Sequence, residues 1–105
     1  MRLERFTEKA QEAFQEAQEI MHAQHHTQLD VEHIFLAMLR QREGLTSRAL
    51  ERLNVDIEMV SQRVERELEK SPKVYGQYGY GRQVYITPRT QRLVKRAEEE
   101  AARLN

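Results

Sequence analysis

The chain has 105 residues, 39% of them apolar and 32% charged, which fits one domain with a modest core beneath a charged surface. The 17 basic and 17 acidic residues cancel, so the net charge does not favour nucleic acid or an anionic membrane as a partner. The absence of cysteine excludes disulfides and thiolate chemistry. No apolar run approaches the roughly 18 residues of a membrane span, and no signal or transit peptide is recognisable, so we expect a cytoplasmic protein.

The first predicted helix covers residues 4–24. Its apolar positions recur three and four residues apart, as is typical of an amphipathic helix: Phe6, Ala10, Ala13, Ala17 and Ile20. A polar break over residues 25–28 follows, and Asp30 is suited to cap the next helix. That helix, residues 31–40, has apolar residues on most sides, so we expect it to be central and buried. Three of its residues are expected to pack against the first helix: Phe35, Leu36 and Leu39.

A short helix over residues 45–53 and a longer one over residues 57–70, capped by Asp56, come next. Residues 72–86 combine three glycines with four tyrosines and are predicted to form a flexible linker. Its last residues have extended character, but no partner strand is evident. Thr87 then precedes a proline and opens a last helix that continues to the chain end. The sequence therefore predicts an all-α bundle of about five helices.

The sequence has few residues in patterns typical of a catalytic or metal-binding site. Three histidines between residues 22 and 26 have helical spacing, but no nearby carboxylate or cysteine completes a metal site. His33 is interpreted as a structural histidine at a helix start. No serine has recognisable histidine and acid partners, and no phosphate-binding G-x-x-x-x-G-K-[ST] loop occurs, so we expect neither catalysis nor nucleotide binding. The linker tyrosines are a conceivable stacking platform for single-stranded nucleic acid, but only Lys73 and Arg82 supply charge there, which favours a linker.

The first and last helices align with an offset of 80 residues, which places Phe6-Thr7 opposite Ile86-Thr87. The apolar pattern keeps one phase along this alignment, which indicates a tandem repeat. On this interpretation, residues 1–71 form one complete repeat of four helices. Residues 72–86 form the linker, and residues 87–105 form the first helix of a truncated second repeat.

Several stretches of the sequence resemble the amino-terminal domain of the Clp-family AAA+ unfoldases. Two segments resemble the first repeat of that domain: Phe6-Thr7-Glu8-Lys9-Ala10 and Asp30-Val31-Glu32-His33-Ile34-Phe35-Leu36-Ala37-Met38-Leu39. A third segment resembles the opening of its second repeat: Ile86-Thr87-Pro88-Arg89. The resemblance covers essentially the whole chain, although the family domain normally holds two complete repeats. One further segment favours the ClpB-type disaggregases over the alternative, the ClpC-type protease partners: Ser71-Pro72-Lys73-Val74-Tyr75-Gly76.

The resemblance implies a non-catalytic recognition domain that binds unfolded proteins, phosphoarginine-marked proteins or an adaptor for the AAA+ modules of a parent protein. The chain itself is expected to bind no cofactor, with ATP bound by the parent. The resemblance assigns five residues to substrate binding: Thr7, Val31, Glu32, Ile86 and Thr87. In ClpC-type relatives the residue matching Glu32 pairs with the guanidinium of phosphoarginine. Thr7 and Glu32 are therefore expected to lie close together. Without the resemblance, Thr7 is interpreted as a helix cap and Glu32 as a carboxylate at the positive end of a helix.

Two other classes of function stay open. The first is a structural module that mediates self-association. The apolar stripe of the last helix must fold back on the first repeat or pack on another copy, which makes a dimer conceivable. The residues of this stripe are Leu93, Val94, Ala97, Ala101 and Leu104. The second class is a small enzyme, which the lack of an acid–base or nucleophile constellation disfavours.

Overall fold

A computed structural model of the chain describes residues 6–75 and 84–104. Those ranges contain five helices: α1 (Glu8–Ala23), α2 (Val31–Arg40), α3 (Leu45–Arg52), α4 (Ile57–Glu69) and α5 (Pro88–Leu104). They also contain two strands of two residues each, β1 (Gln28–Leu29) and β2 (Tyr85–Ile86). The predicted all-α class and the predicted number of helices are confirmed. Within the described ranges, no helix combines the length and apolar character needed to cross a bilayer.

Side-chain caps fix where α1, α2 and α4 begin, and Thr87 caps α5 in the same way. The Thr7 hydroxyl accepts a hydrogen bond from the Ala10 amide at the start of α1, with an oxygen–nitrogen distance of 3.1 Å. The Asp30 carboxylate accepts from the Val31 amide at 2.8 Å at the start of α2, and Asp56 plays the same part for α4. Each cap satisfies an amide that has no partner within its own helix. The predicted capping roles of Thr7, Asp30 and Asp56 are therefore confirmed.

The core forms where α1 packs on α2. Ala17 and Ala37 are fully buried, and their small side chains allow the two helices to approach closely. α2 also contacts α3, α4 and α5, which makes it the central helix, as predicted. The larger buried side chains come from five elements: Phe14, Ile20, Met21, Leu29, Ile34, Leu36, Leu39, Leu68 and Val94.

Phe35 departs from the prediction that it is buried against α1. Its side chain is 37% exposed, whereas Leu36 and Leu39 are each 1% exposed, as predicted. The reason is its direction, because Phe35 lies on the side of α2 that faces α5, where it lines a surface groove with Leu93. α5 does not cover the whole aromatic ring, and so part of it reaches solvent.

The two short strands pair in parallel, with Gln28 opposite Tyr85 and Leu29 opposite Ile86. The amide of Thr87 donates to the carbonyl of Leu29 at 3.2 Å and extends this ladder. No partner strand for the end of the linker was evident from the sequence, and the structure corrects this. Each strand runs directly into a helix, so their pairing brings the starts of α2 and α5 together.

The predicted linker, residues 72–86, is described at its two ends. Near its start, the Lys73 ammonium donates to the side-chain oxygen of Gln24 at 2.9 Å, and the Val74 amide donates to the His25 carbonyl at 2.7 Å. These contacts hold residues 73–75 against the end of α1. Residues 76–83, which include all three linker glycines and two of the four linker tyrosines, lie outside the described residues. The linker and the division into one repeat and part of another therefore stay predictions.

α5 is anchored at its beginning and exposed along the rest of its predicted apolar stripe. Thr90 and Val94 are 0% and 7% exposed, so the start of the helix folds back on the first repeat. In contrast, Leu93 is 42% exposed and Leu104 is 74% exposed, and the alanines between them are also exposed. Within the described chain, most of this stripe is uncovered.

Candidate functional site at the starts of two helices

The carboxylate of Asp30 joins α2 to α5. Its Oδ1 accepts from the Val31 amide at 2.8 Å and from the Thr87 hydroxyl at 3.0 Å. It also accepts from Nε of Arg89 at 2.7 Å, while Oδ2 accepts from Nη2 of Arg89 at 3.0 Å. The hydrogen bonds from Arg89 are the main reason why the pKa of Asp30 lies below its usual value, and they outweigh the opposing effect of burial. Asp30 is therefore ionised at neutral pH.

The guanidinium of Arg89 bridges two carboxylates. Besides Asp30, its Nη2 donates to both oxygens of Glu32, at 2.8 and 2.9 Å. Hydrogen bonding to Asp30, followed by its charge and that of Glu32, raises the pKa of Arg89. Glu32, which the resemblance assigns to a substrate guanidinium, thus already binds a guanidinium of its own chain. A ligand arginine would have to displace Arg89 to reach it.

Thr7 and Thr87 have the same geometry at the starts of α1 and α5. Each hydroxyl accepts from the amide three residues further on, at 3.1 Å for Thr7 and 3.3 Å for Thr87. The carbonyls of these threonines accept from the amides of Gln11 and Gln91 at 2.9 and 3.0 Å. Thr87 in addition donates to Asp30. This equivalence supports the alignment of the first and last helices as repeats.

The five predicted site residues divide into three groups. Glu32 and Thr87 lie together around Asp30, and Val31 lines the groove beside them. Ile86 belongs to the strand pair and is partly buried. Thr7 is exposed, and its hydrogen bonds go to its own helix. The closeness of Thr7 and Glu32 stays a prediction.

Sequence reasoning missed Arg89, because the signal for it depends on the pairing of the two strands. Glu32 lies two residues after the cap Asp30, and Arg89 lies two residues after the cap Thr87. The strand register places Leu29 opposite Ile86. Continuing that register by three residues places Glu32 opposite Arg89, and the two carry opposite charges. The ion pair becomes recognisable once the two strands are known to pair.

A histidine pair lies beneath the start of α2, and its hydrogen-bond partners determine its tautomers. Nδ1 of His33 accepts from the Asp30 amide at 2.9 Å, so its proton is on Nε2. That group donates to Nδ1 of His26 at 2.9 Å, which leaves the His26 proton on Nε2. This last nitrogen is buried without a hydrogen-bond partner of good geometry among the described residues, although the Leu68 carbonyl interacts with the ring.

Burial is the main reason why both histidines are neutral. His26 and His33 are 5% and 2% exposed. Desolvation lowers the pKa of His33 to about 4 and lowers the pKa of His26 as well. The interpretation of His33 as a structural histidine is confirmed by its hydrogen bonds. Within residues 6–75 and 84–104, no group of three His, Cys, Asp or Glu side chains is placed to hold a metal ion.

Beside the charged cluster, a shallow groove runs between α2 and α5. Its lining is apolar except for Glu32 and consists otherwise of Val31, Ile34, Phe35, Met38 and Leu93. Phe35 and Leu93 are large apolar residues that remain 37% and 42% exposed. Contiguous exposed apolar side chains on a charged surface mark sites of association. The hydrogen bonds from Arg89 to Asp30 and Glu32 join the start of α5 to the start of α2 beside this groove.

Comparison with known proteins identifies the family. The model of the Clp repeat (R) N-terminal domain family matches residues 5–105. The chain belongs to this family. Similar proteins include the chaperone protein ClpB of Bacillus cereus, which is 38% identical over 104 residues that make up 99% of this chain. ClpB of Bacillus anthracis has the same identity and coverage, and ClpB of Nitratidesulfovibrio vulgaris is 36% identical over 104 residues.

The Clp repeat assignment confirms the resemblance found in the sequence, and the relatives agree with its ClpB-type character. In each of these three relatives the match covers 12% of the relative's length, so the chain spans about an eighth of those proteins. The assignment also accounts for the matching starts of α1 and α5, since a repeated unit places the same cap at both helices.

Proposed function

We propose that this Clp repeat domain binds exposed apolar segments of unfolded proteins, or an adaptor, in the groove between α2 and α5. It presents them to the AAA+ modules of a ClpB-type parent protein, which supply ATP binding and hydrolysis. The observation that carries the proposal is the partial exposure of Phe35 and Leu93, which line the same groove from different helices. The main alternative, a structural module for self-association, is favoured by the exposed end of α5.

The chemistry of the groove suits sequence-tolerant binding. Its lining is open and almost wholly aliphatic or aromatic, so it offers apolar contact area and few polar groups that would demand a particular side chain. Met38 adds a flexible side chain that adapts to different partners. Attachment to a larger assembly would raise the local concentration of a weakly bound segment and compensate for low affinity.

Recognition of marked substrates through Glu32 is a narrower form of the same proposal. The pairing of Glu32 with Arg89 supports the ability of this carboxylate to bind a guanidinium, because both Glu32 oxygens lie within 2.9 Å of Nη2. The same pairing opposes an external arginine, which must compete with a tethered one. We therefore assign the main contribution to the apolar groove, and we expect phosphoarginine to bind Glu32 more tightly once Arg89 is removed.

The affinity for a permanently unfolded protein tests the proposal. Reduced, carboxymethylated α-lactalbumin with a fluorescent label serves as the probe, and anisotropy reports binding. Phe35→Ser should weaken binding at least about fivefold, because it removes an aromatic anchor worth roughly 1 kcal/mol or more. Met59→Ser is the matched control, since Met59 is 57% exposed on α4 and does not line the groove. Equal affinity of the two variants would contradict the proposal.

A further inference from the structure

The helix α3 leaves Leu45 and Ala49 exposed, whereas Leu50 is partly buried on its inner side. It buries the hydroxyl-bearing Ser47 completely, and the Ser47 hydroxyl donates to the carbonyl of Leu39 at 3.2 Å. Leu45 and Leu53, the end residues of its apolar stripe, are 81% and 70% exposed, and Ala49 between them is exposed as well. An amphipathic helix normally buries such a stripe. A contiguous exposed apolar stripe of this kind is typical of an interaction surface.

The exposed stripe has one charged border. Leu45, Ala49 and the C-cap residue Leu53 are spaced four residues apart, so they follow one another along one face of α3 and its end. Since each residue turns the helix by about 100°, Arg48 and Arg52 lie next to this stripe, on its far side from the residues that α3 buries. Leu45, Arg48, Ala49 and Arg52 also line a common surface depression, together with Glu51, which lies beyond Arg48 on the side away from the stripe. The face is therefore apolar along its centre and cationic along one edge.

The two arginines of this face have no counterion in the described chain. Most other arginines there pair with a carboxylate, as Arg40 does with Glu16 at 3.1 Å and Arg42 with Glu58 at 3.5 Å. Among residues 6–75 and 84–104, neither Arg48 nor Arg52 has a carboxylate oxygen within 4.0 Å. Unpaired positive charge beside an apolar stripe is complementary to a surface that carries acidic and apolar side chains together.

We propose that the exposed face of α3 is a second interaction surface, which binds an acidic amphipathic helix of a partner protein. The apolar side chains of that helix would pack along Leu45, Ala49 and Leu53. Its carboxylates would pair with Arg48 and Arg52. Eight residues of helix offer a small contact area, so the contact is weak and transient on its own. It is separate from the α2–α5 groove, whose lining includes no residue of α3.

A designed peptide tests this surface. The probe is a 16-residue helical peptide with leucines four residues apart and glutamates along one border, and its counterpart carries lysines in place of the glutamates. Chemical shifts of the backbone amides of the 105-residue chain report where each peptide binds. We expect the acidic peptide to shift the amides of α3, and we expect the basic peptide to bind at least about tenfold more weakly.

Variants at exposed positions complete the test. Leu53→Ser and the double variant Arg48→Glu/Arg52→Glu should each weaken binding of the acidic peptide about tenfold while the circular dichroism spectrum stays unchanged. Leu104→Ser is the matched control, because Leu104 is 74% exposed on α5 and should leave binding unchanged. Phe35→Ser in the groove should also leave it unchanged, which separates this surface from the proposed substrate groove.

Three results would overturn the proposal. The first is equal binding of the acidic and basic peptides. The second is a set of α3 shifts that depends on protein concentration without peptide, which would assign the face to a second copy of this chain. The third is stronger binding of α3 to phosphatidylserine vesicles than to the peptide, which would assign it to an anionic membrane.

Discussion

Glu32 and Arg89 occupy equivalent positions, each two residues after the capping residue of a helix that follows one of the two paired strands. Their side chains meet at 2.8 Å, and the same guanidinium reaches Asp30 at 2.7 Å. Parallel pairing of two short strands thus turns a repeated helix start into a charged junction. The junction holds the two walls of the apolar groove in place.

Replacing Arg89 by alanine should raise the pKa of Asp30 toward its usual value. Asp30 loses the two hydrogen bonds that contribute most to its lowered pKa. A carboxyl whose pKa is lowered on folding stabilises the fold above its unfolded-state pKa, and this stability is lost as the pH falls. Arg89→Ala should therefore also unfold at a lower temperature at pH 7. Titration of the Asp30 carboxyl carbon by NMR checks the first effect.

The control for this prediction is Arg92→Ala on the same helix. Arg92 is exposed and has no carboxylate partner within 4.0 Å among the described residues. The variant Arg92→Ala should leave the pKa of Asp30 unchanged. If Asp30 titrated alike in the wild type, Arg92→Ala and Arg89→Ala, the role assigned to Arg89 would be wrong.

The buried histidine pair should make the fold sensitive to mild acid. The pKa of His33 is about 4 in the folded chain, against an ordinary value of 6.5. Between these values the unfolded chain binds more protons than the folded chain, so the free energy of unfolding falls as the pH drops. We expect a loss of about 2–3 kcal/mol from His33 between pH 7 and pH 4.5. Urea unfolding across this range measures it.

Two variants separate the histidine pair from other titrating groups. His33→Gln should be less stable at pH 7 but should lose less stability on acidification, because the buried imidazole is gone. His25→Asn changes an exposed neighbour in a left-handed conformation that asparagine tolerates, with φ of 59°. It should keep the pH dependence of the wild type. A free energy of unfolding that is flat from pH 7 to pH 5 would contradict the account.

The central position of α2 predicts a large effect of core truncation. Leu39 is 1% exposed, so Leu39→Ala should lower the free energy of unfolding by about 2–5 kcal/mol. Leu45→Ala removes the same atoms from a side chain that is 81% exposed, so it should change the free energy of unfolding by about 0.5 kcal/mol or less. Denaturant unfolding compares the two variants, and similar effects would refute the assigned packing.

The uncovered end of α5 predicts self-association. Ala97, Ala101 and Leu104 are exposed, and a second copy can cover them. Light scattering should detect a species heavier than the 12.5 kDa monomer at high concentration. Ala101→Glu/Leu104→Glu should abolish that species while α5 stays anchored through Thr90 and Val94. A wild-type chain that is monomeric at every concentration would refute the prediction.

The features that sequence reasoning found are local, and those that it missed depend on tertiary position. Thr7, Asp30 and Asp56 were identified as caps because capping residue types precede apolar periodicity. Extended character at the end of the linker was predicted, but the pairing of the two strands was missed, because two residues carry no strand pattern and the partners are far apart in the chain. The burial of Phe35 was predicted from the apolar periodicity of α2. Periodicity shows which side of a helix a residue lies on, but it does not show how much of that side the neighbouring helix covers. The pairing of Arg89 with Asp30 requires the strand register, which sequence spacing alone did not supply.

The most direct test of the proposed function is to map where an unfolded polypeptide contacts the chain. Methyl groups of Met38 and Leu93 report the groove, and those of Met59 and Leu104 report exposed apolar surface elsewhere. Titration with reduced, carboxymethylated α-lactalbumin, followed by methyl NMR, should shift or broaden Met38 and Leu93 first. Equal perturbation of all four methyl-bearing residues, or perturbation confined to Met59 and Leu104, would contradict binding in the groove between α2 and α5.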